Sequence, residues 1–174
     1  MLIQLSMKKK YIIISLSIIL LGIVTLLFFY VGYLFSPGSY PFSEKYELNV
    51  SDEKLIELIQ DIKVKHPEIC VPENVYIGNN PFHLTDGDRD KYGNYYHVYF
   101  YFQEEQQIIH TIIGGNKHNS IIRFYAVNDG LILGRWKEIN SEFWGSAEND
   151  NIKLKFEERI LSKIKVSIKN YKNK

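Results

Sequence analysis

The chain of 174 residues holds one cysteine, Cys70, so no disulfide can form within it. A small disulfide-stapled scaffold is thereby excluded, and any fold must rest on its apolar core. Cys70 stands between Ile69 and Val71, a setting that reads as a buried structural thiol. Acidic residues are missing from the first 36 positions. The remaining stretch carries all 20 of them against 18 of the 21 basic residues, 18 − 20 = −2. A near-neutral domain lacks the electrostatic footprint of a nucleic-acid binder.

Catalytic signatures are also missing. There is no G-x-S-x-G elbow, no phosphate-binding glycine loop, no H-E-x-x-H and no kinase set, so a non-enzyme is the expectation, with an enzyme whose site carries no motif as the less favoured alternative. The five histidines (His66, His83, His97, His110, His118) are never at the close spacings of zinc ligands. Residues 85–90 (TDGDRD) open like a calcium loop, but Lys91 stands where its glycine belongs and His97 where its bidentate glutamate belongs. They read as a solvated turn, and no metal or cofactor is expected.

What the sequence does have is a run of 25 uncharged, mostly apolar residues over 11–35. As a helix it rises about 38 Å, enough to cross a hydrocarbon layer of about 30 Å with some tilt. Phe28, Phe29, Tyr30, Tyr33 and Phe35 gather at one end and Tyr11 at the other, as side chains at two membrane interfaces do. The run is longer than a signal-peptide core, and no alanine precedes Ala126 to form the usual cleavage site, so it reads as an uncleaved anchor. Cleavage near residue 37 is the competing expectation. Lys8, Lys9 and Lys10 flank the run on its N-terminal side, which by the positive-inside rule leaves the N-terminus cytoplasmic and the rest outside. Met7 before those lysines reads like a natural start.

The expected organisation is a basic cytoplasmic segment (1–10), a transmembrane helix in the bilayer (11–35), a Pro/Gly/Ser-rich linker (36–45) and one extracytoplasmic α+β domain (46–174). Within the domain, Ser51 is a good N-cap. Leu55, Leu58, Ile59 and Ile62 then form a helical stripe that ends before Pro67. Residues 74–77 suggest a short strand and 79–94 a polar loop. Four strands follow over 95–102, 107–113, 120–127 and 131–138, the last pair joined by the hairpin signal Asn128-Asp129-Gly130. Ile152, Phe156, Ile160, Leu161, Ile164 and Ile168 make a second helical stripe. The fold expected is a two-layer α+β sandwich, an antiparallel meander of four strands, or five with 74–77, flanked in sequence by two helices.

If both helices lie on one face of the sheet, the other must meet water, a partner or the bilayer surface. In strand 95–102 the set Tyr95, His97, Tyr99 and Tyr101 alternates onto one side, and such rings with polar tips suit recognition. The competing reading is that they line a solvated face or pack under a loop. The function expected is a membrane-tethered module that binds a protein partner, with an immunity-type inhibitor as one version. The alternative is an accessory or structural subunit of a membrane complex working through its helix. The basic residues Lys163, Lys165, Lys169, Lys172 and Lys174 complement a helix C-terminus, or meet anionic headgroups.

Overall fold

The structure, a computed structural model, describes residues 2–34, 36, 40–89, 95–142 and 144–173. It divides into two compact units, Met1–Pro41 and Phe42–Lys174. Among its described residues the first unit holds one helix, α1 (Leu2–Leu34). Within its segment Lys9–Tyr33 an 18-residue window reaches mean hydropathy 3.0, and none of that window is buried by protein. By length and composition it can cross a membrane, because a helix keeps every backbone hydrogen bond within itself.

The second unit is α+β. It opens with strand β1 (Glu44–Leu48), followed by helix α2 (Asp52–Lys65). The Ser51 side chain accepts from the Lys54 amide at 3.2 Å, and Asp52 and Glu53 add negative charge at the positive end of the helix dipole. Helix α2 stops at His66, before Pro67, and a 3-10 turn follows over Pro67–Ile69. Short strands β2 (Val75–Ile77), β3 (Asn80–Phe82) and β4 (Gly87–Arg89) come next, then the long strands β5 (Tyr96–Phe102), β6 (Gln107–Gly115) and β7 (Ser120–Asp129). After β8 (Ile132–Leu133) and β9 (Trp136–Glu138), the chain ends in helix α3 (Ser146–Phe156), a π-helical turn (Glu157–Leu161) and helix α4 (Ser162–Lys172).

The main sheet is antiparallel in the order β1-β7-β6-β5-β4, with β9 beside the far half of β7. One face carries Val98, Phe100 and Phe102 of β5, Ile109 and Ile113 of β6, and Ile122, Phe124 and Val127 of β7. The stripe of α2 (Leu55, Leu58, Ile59, Ile62) and that of the C-terminal helices close over it as one core. Burying this much aliphatic and aromatic surface is the main drive to fold. The π turn has a packing role. Buried residues four apart (Ile152, Phe156, Ile160) drift around a helix of 3.6 residues per turn, and the wider turn lets Ile160 and Leu161 both face the sheet. The Glu104-Glu105 turn is tied to this helix: Glu105 pairs with Lys155 at 2.7 Å and Arg159 at 2.9 Å. Partial burial would raise the Glu105 carboxyl, but the two cations outweigh it and hold its pKa below the usual range.

Three features depart from the sequence expectation. Strand β1 lies partly inside the stretch read as linker, pairing Glu44 through Leu48 with β7. The stretch read as a polar loop over 79–94 contains β3 and β4, and residues 90–94 lie outside the described set. The expected fourth strand over 131–138 is broken. Gly134 sits at φ +113, a backbone that side chains disfavour, so only β9 joins the main sheet and β8 leaves it. Buried Asn128 directs that exit. Its Nδ2 donates to the carbonyls of Gly130 (3.0 Å) and Ile132 (3.1 Å), and its Oδ1 accepts from the Arg135 amide at 2.9 Å.

Strand β8 pairs in parallel with β2, which pairs with β3, making a second, three-stranded sheet. Val75 of that sheet is fully buried, as are Ile108 and Ile112, which the strand register places on the main-sheet face turned away from the helices. The second face of the main sheet is therefore partly covered by the chain itself.

Candidate functional site

The site lies on that second face. Register places His97 opposite Ile112 and Tyr99 opposite His110, so the two histidines are diagonal neighbours on one side of the sheet. Their rings meet: His97 Nδ1 and His110 Nε2 are 2.9 Å apart and share one hydrogen. The Tyr99 ring stacks on His110 at 4.6 Å between centroids.

A bulge in β7 completes the cluster. Thr111 pairs with Phe124 but His110 pairs with Ala126, so Tyr125 is one residue too many for the ladder. The extra residue shifts the alternation of β7. Phe124 and Val127 both face the helical core, while Tyr125 turns to the other side. There its ring meets His110 edge-on at 5.3 Å, and its hydroxyl donates to Glu138 Oε1 at 2.8 Å. Trp136 of β9 stands 5.4 Å from His110 and 6.3 Å from Tyr99. His110 is thus walled by three aromatic rings.

These rings form the floor of a recess of about 490 Å³. Ile77 of β2, Phe82 of β3, Leu84 and Leu133 of β8 supply its other walls. Its rim is apolar too, with Ile77 49% exposed and Phe82 40% exposed. A second, more polar cavity of about 410 Å³ adjoins it, sharing Phe82, Leu84 and Tyr99 and adding His83, Thr85, Asp86 and His97. Asp86 pins this roof to the main sheet. Its Oδ1 accepts from the Tyr99 amide at 2.8 Å, and its Oδ2 from Lys63 Nζ at 2.5 Å. Lys63 also donates to the Tyr99 carbonyl at 2.5 Å. Asp86, which the sequence places in a solvated turn, is therefore a half-buried tether between α2, β5 and the roof.

Burial of His110 disfavours its charged form, and the neighbouring His97 adds to this, so its pKa is pushed down to about 3. At neutral pH the recess presents an uncharged imidazole among aromatic rings. Such a lining is largely apolar and aromatic. Among the described residues no group of three or more His, Cys, Asp and Glu side chains could hold a metal ion.

Of the four residues singled out from the sequence, His97 and Tyr99 enter this cluster and Tyr95 and Tyr101 do not. Tyr95 is half-buried, with the Arg123 guanidinium 5.8 Å from its ring. Tyr101 lines a separate hollow with Glu68, Ile69 and Arg159. Sequence reasoning missed Tyr125 and Trp136 because no motif joins them. One signal was present: the core residues of β7 run Ile122, Phe124, Val127, and a step of three in an alternating strand marks a bulge.

Comparison with known proteins returns no match: no family, no curated protein and no solved structure matches the chain.

Proposed function

We propose that the chain is a membrane-anchored binding module that captures an apolar or aromatic side chain of a protein partner in the His110 recess. The carrying observation is the recess itself. A concave, largely apolar site with a few convergent polar groups and a perturbed histidine is how ligand sites are usually built. Its exposed apolar rim (Ile77, Phe82) extends the contact beyond one inserted group. Helix α1 serves as an uncleaved anchor with Lys8, Lys9 and Lys10 on the cytoplasmic side, which leaves the α+β unit outside the cytoplasm. Capture of a toxin at the cell surface and attachment to a resident membrane complex are two versions of this role.

Site-specific photocross-linking in intact cells tests the reading. A cross-linking residue at Ile77, on the rim, should yield one defined protein adduct, whereas one at Lys117, in the β6–β7 turn, should not. No adduct at Ile77, or the same adduct at both positions, refutes capture by the recess. The adduct's identity chooses between inhibitor and complex subunit. Intact mass of the membrane-extracted protein tests the anchor separately, since a mature form beginning near residue 37 would remove it.

A further inference from the structure

The C-terminal helix changes electrostatic character at its π turn. Before and within that turn every described cation is paired. Lys153 lies 3.2 Å from Asp150, Lys155 lies 2.7 Å from Glu105, and Arg159 bridges Glu104 and Glu105. After the turn no acidic residue occurs through position 174. Lys165, Lys169 and Lys172 are exposed and make no ion pair with any described residue. Ile164 and Ile168 face the core, so at 100° per residue Lys165, Lys169 and Lys172 fall within one sector about 60° wide. Val166, 58% exposed, stands beside that sector, and Tyr171, 47% exposed, lies nearer α2 with Lys54 over its ring.

We infer that the α4 face bearing Lys165, Val166, Lys169 and Lys172 rests on an anionic lipid surface. Three unpaired cations beside an exposed valine have the composition of an interfacial helix: ammonium groups reach phosphates while the apolar group enters the headgroup boundary. Two lysines would suffice to complement the helix dipole at the last turn, and Lys165 lies too far from it to take part. Proximity supplies the rest. Eight residues, 34–41, separate the end of the apolar segment at Tyr33 from the α+β unit, a reach of at most about 29 Å. A tether this short keeps the unit at high effective concentration beside headgroups, so weak contacts become occupied. The inference uses the anchoring of α1 and is independent of the recess.

The test uses the full chain, with Cys70→Ser and an environment-sensitive fluorophore on Val166→Cys, in nanodiscs of phosphatidylcholine alone or doped with phosphatidylglycerol. Co-elution with the disc reads the anchor; fluorophore emission reads the helix face. The expected result is a blue-shifted, roughly twofold brighter emission in the anionic disc only, reversed at roughly 0.5 M salt, where charges are screened beyond about 4 Å. Lys165→Gln/Lys169→Gln/Lys172→Gln should abolish the shift without altering the far-UV spectrum or the melting temperature. Equal emission in the two discs, or a shift that survives the triple substitution, overturns the lipid assignment while leaving the anchor standing. A response to an acidic polypeptide or oligonucleotide, with none to lipid, overturns it in favour of a different partner.

Discussion

Lowering the pH from 7.5 to 5 should destabilise the α+β unit chiefly through His110. The folded-state pKa of this ring is depressed to about 3, against about 6.5 for an ordinary histidine. For a base the sign is fixed: below pH 6.5 the unfolded chain takes up a proton that the folded chain refuses, so stability falls as pH falls. The contribution is complete above about pH 7 and is lost progressively from there towards pH 3. Near pH 7.5 the unfolded histidine is almost all neutral; at pH 5 it is about 1.5 units below its pKa. At about 1.4 kcal/mol per unit this amounts to about 2 kcal/mol, an upper figure because the ring keeps some contact with the recess. For a unit of this size that is roughly 6–8 °C in Tm. Glu105 and Asp129 are carboxylates held below their usual range, and their share is lost only as pH falls through about 4.5 and lower. The interval from 7.5 to 5 therefore keeps these two carboxylates out of the change, and the comparison with a His110 variant separates this ring from the other histidines. Thermal melts of the full chain in detergent should show the loss, and His110→Phe should remove at least half of it. An equal pH dependence in the two proteins would refute the assignment of His110 as a buried neutral base.

Four further substitutions test how the fold is held. Asn128→Ala strips four backbone partners of their bonds at a buried position; a cost of about 3 kcal/mol is expected in chemical denaturation, with protease cleavage appearing over residues 130–135. Gly115→Ala should cost about 2 kcal/mol, because a Cβ there would meet the Asn119 carbonyl oxygen at 2.5 Å, whereas Gly145→Ala, with nothing within 4 Å, should change the melt by less than about 1 kcal/mol. Glu105→Gln leaves Lys155 and Arg159 without their shared carboxylate and should lower stability by about 1–2 kcal/mol at neutral pH, an effect that shrinks below pH 4 in the same denaturation assay.

The helical half of the fold was legible because its signals are local. Ser51, the stripe of α2 and Pro67 define one helix within its own sequence, and the apolar residues from Ile152 to Ile168 define the other. The strands β5, β6 and β7 announced themselves by β-branched and aromatic runs. Strand β1 was hidden, since EKYEL alternates without bulk and becomes a strand only by pairing with β7. The second sheet was hidden for a similar reason. Strands of two or three residues carry almost no propensity, and β2 and β8 are joined across more than fifty residues of chain. The candidate site shows the same division. Alternation along β5 put His97 and Tyr99 on one side, but their companions depend on a bulge at Tyr125 and a break at Gly134, and the roof over them is tied down by Asp86 reaching Lys63.

The central claim is that the recess on His110 is where a partner is held. Its most direct test is recovery of that partner from detergent-solubilised native membranes by the full chain, tagged at its C-terminus, with wild-type protein beside Ile77→Glu. Ile77 is about half exposed, so a carboxylate there should leave the unit folded while placing charge at the mouth of an apolar site. The expected result is a stoichiometric partner with the wild type and at least a tenfold loss with Ile77→Glu, about 1.4 kcal/mol or more. Equal recovery by the two proteins, or no partner with either, would contradict it.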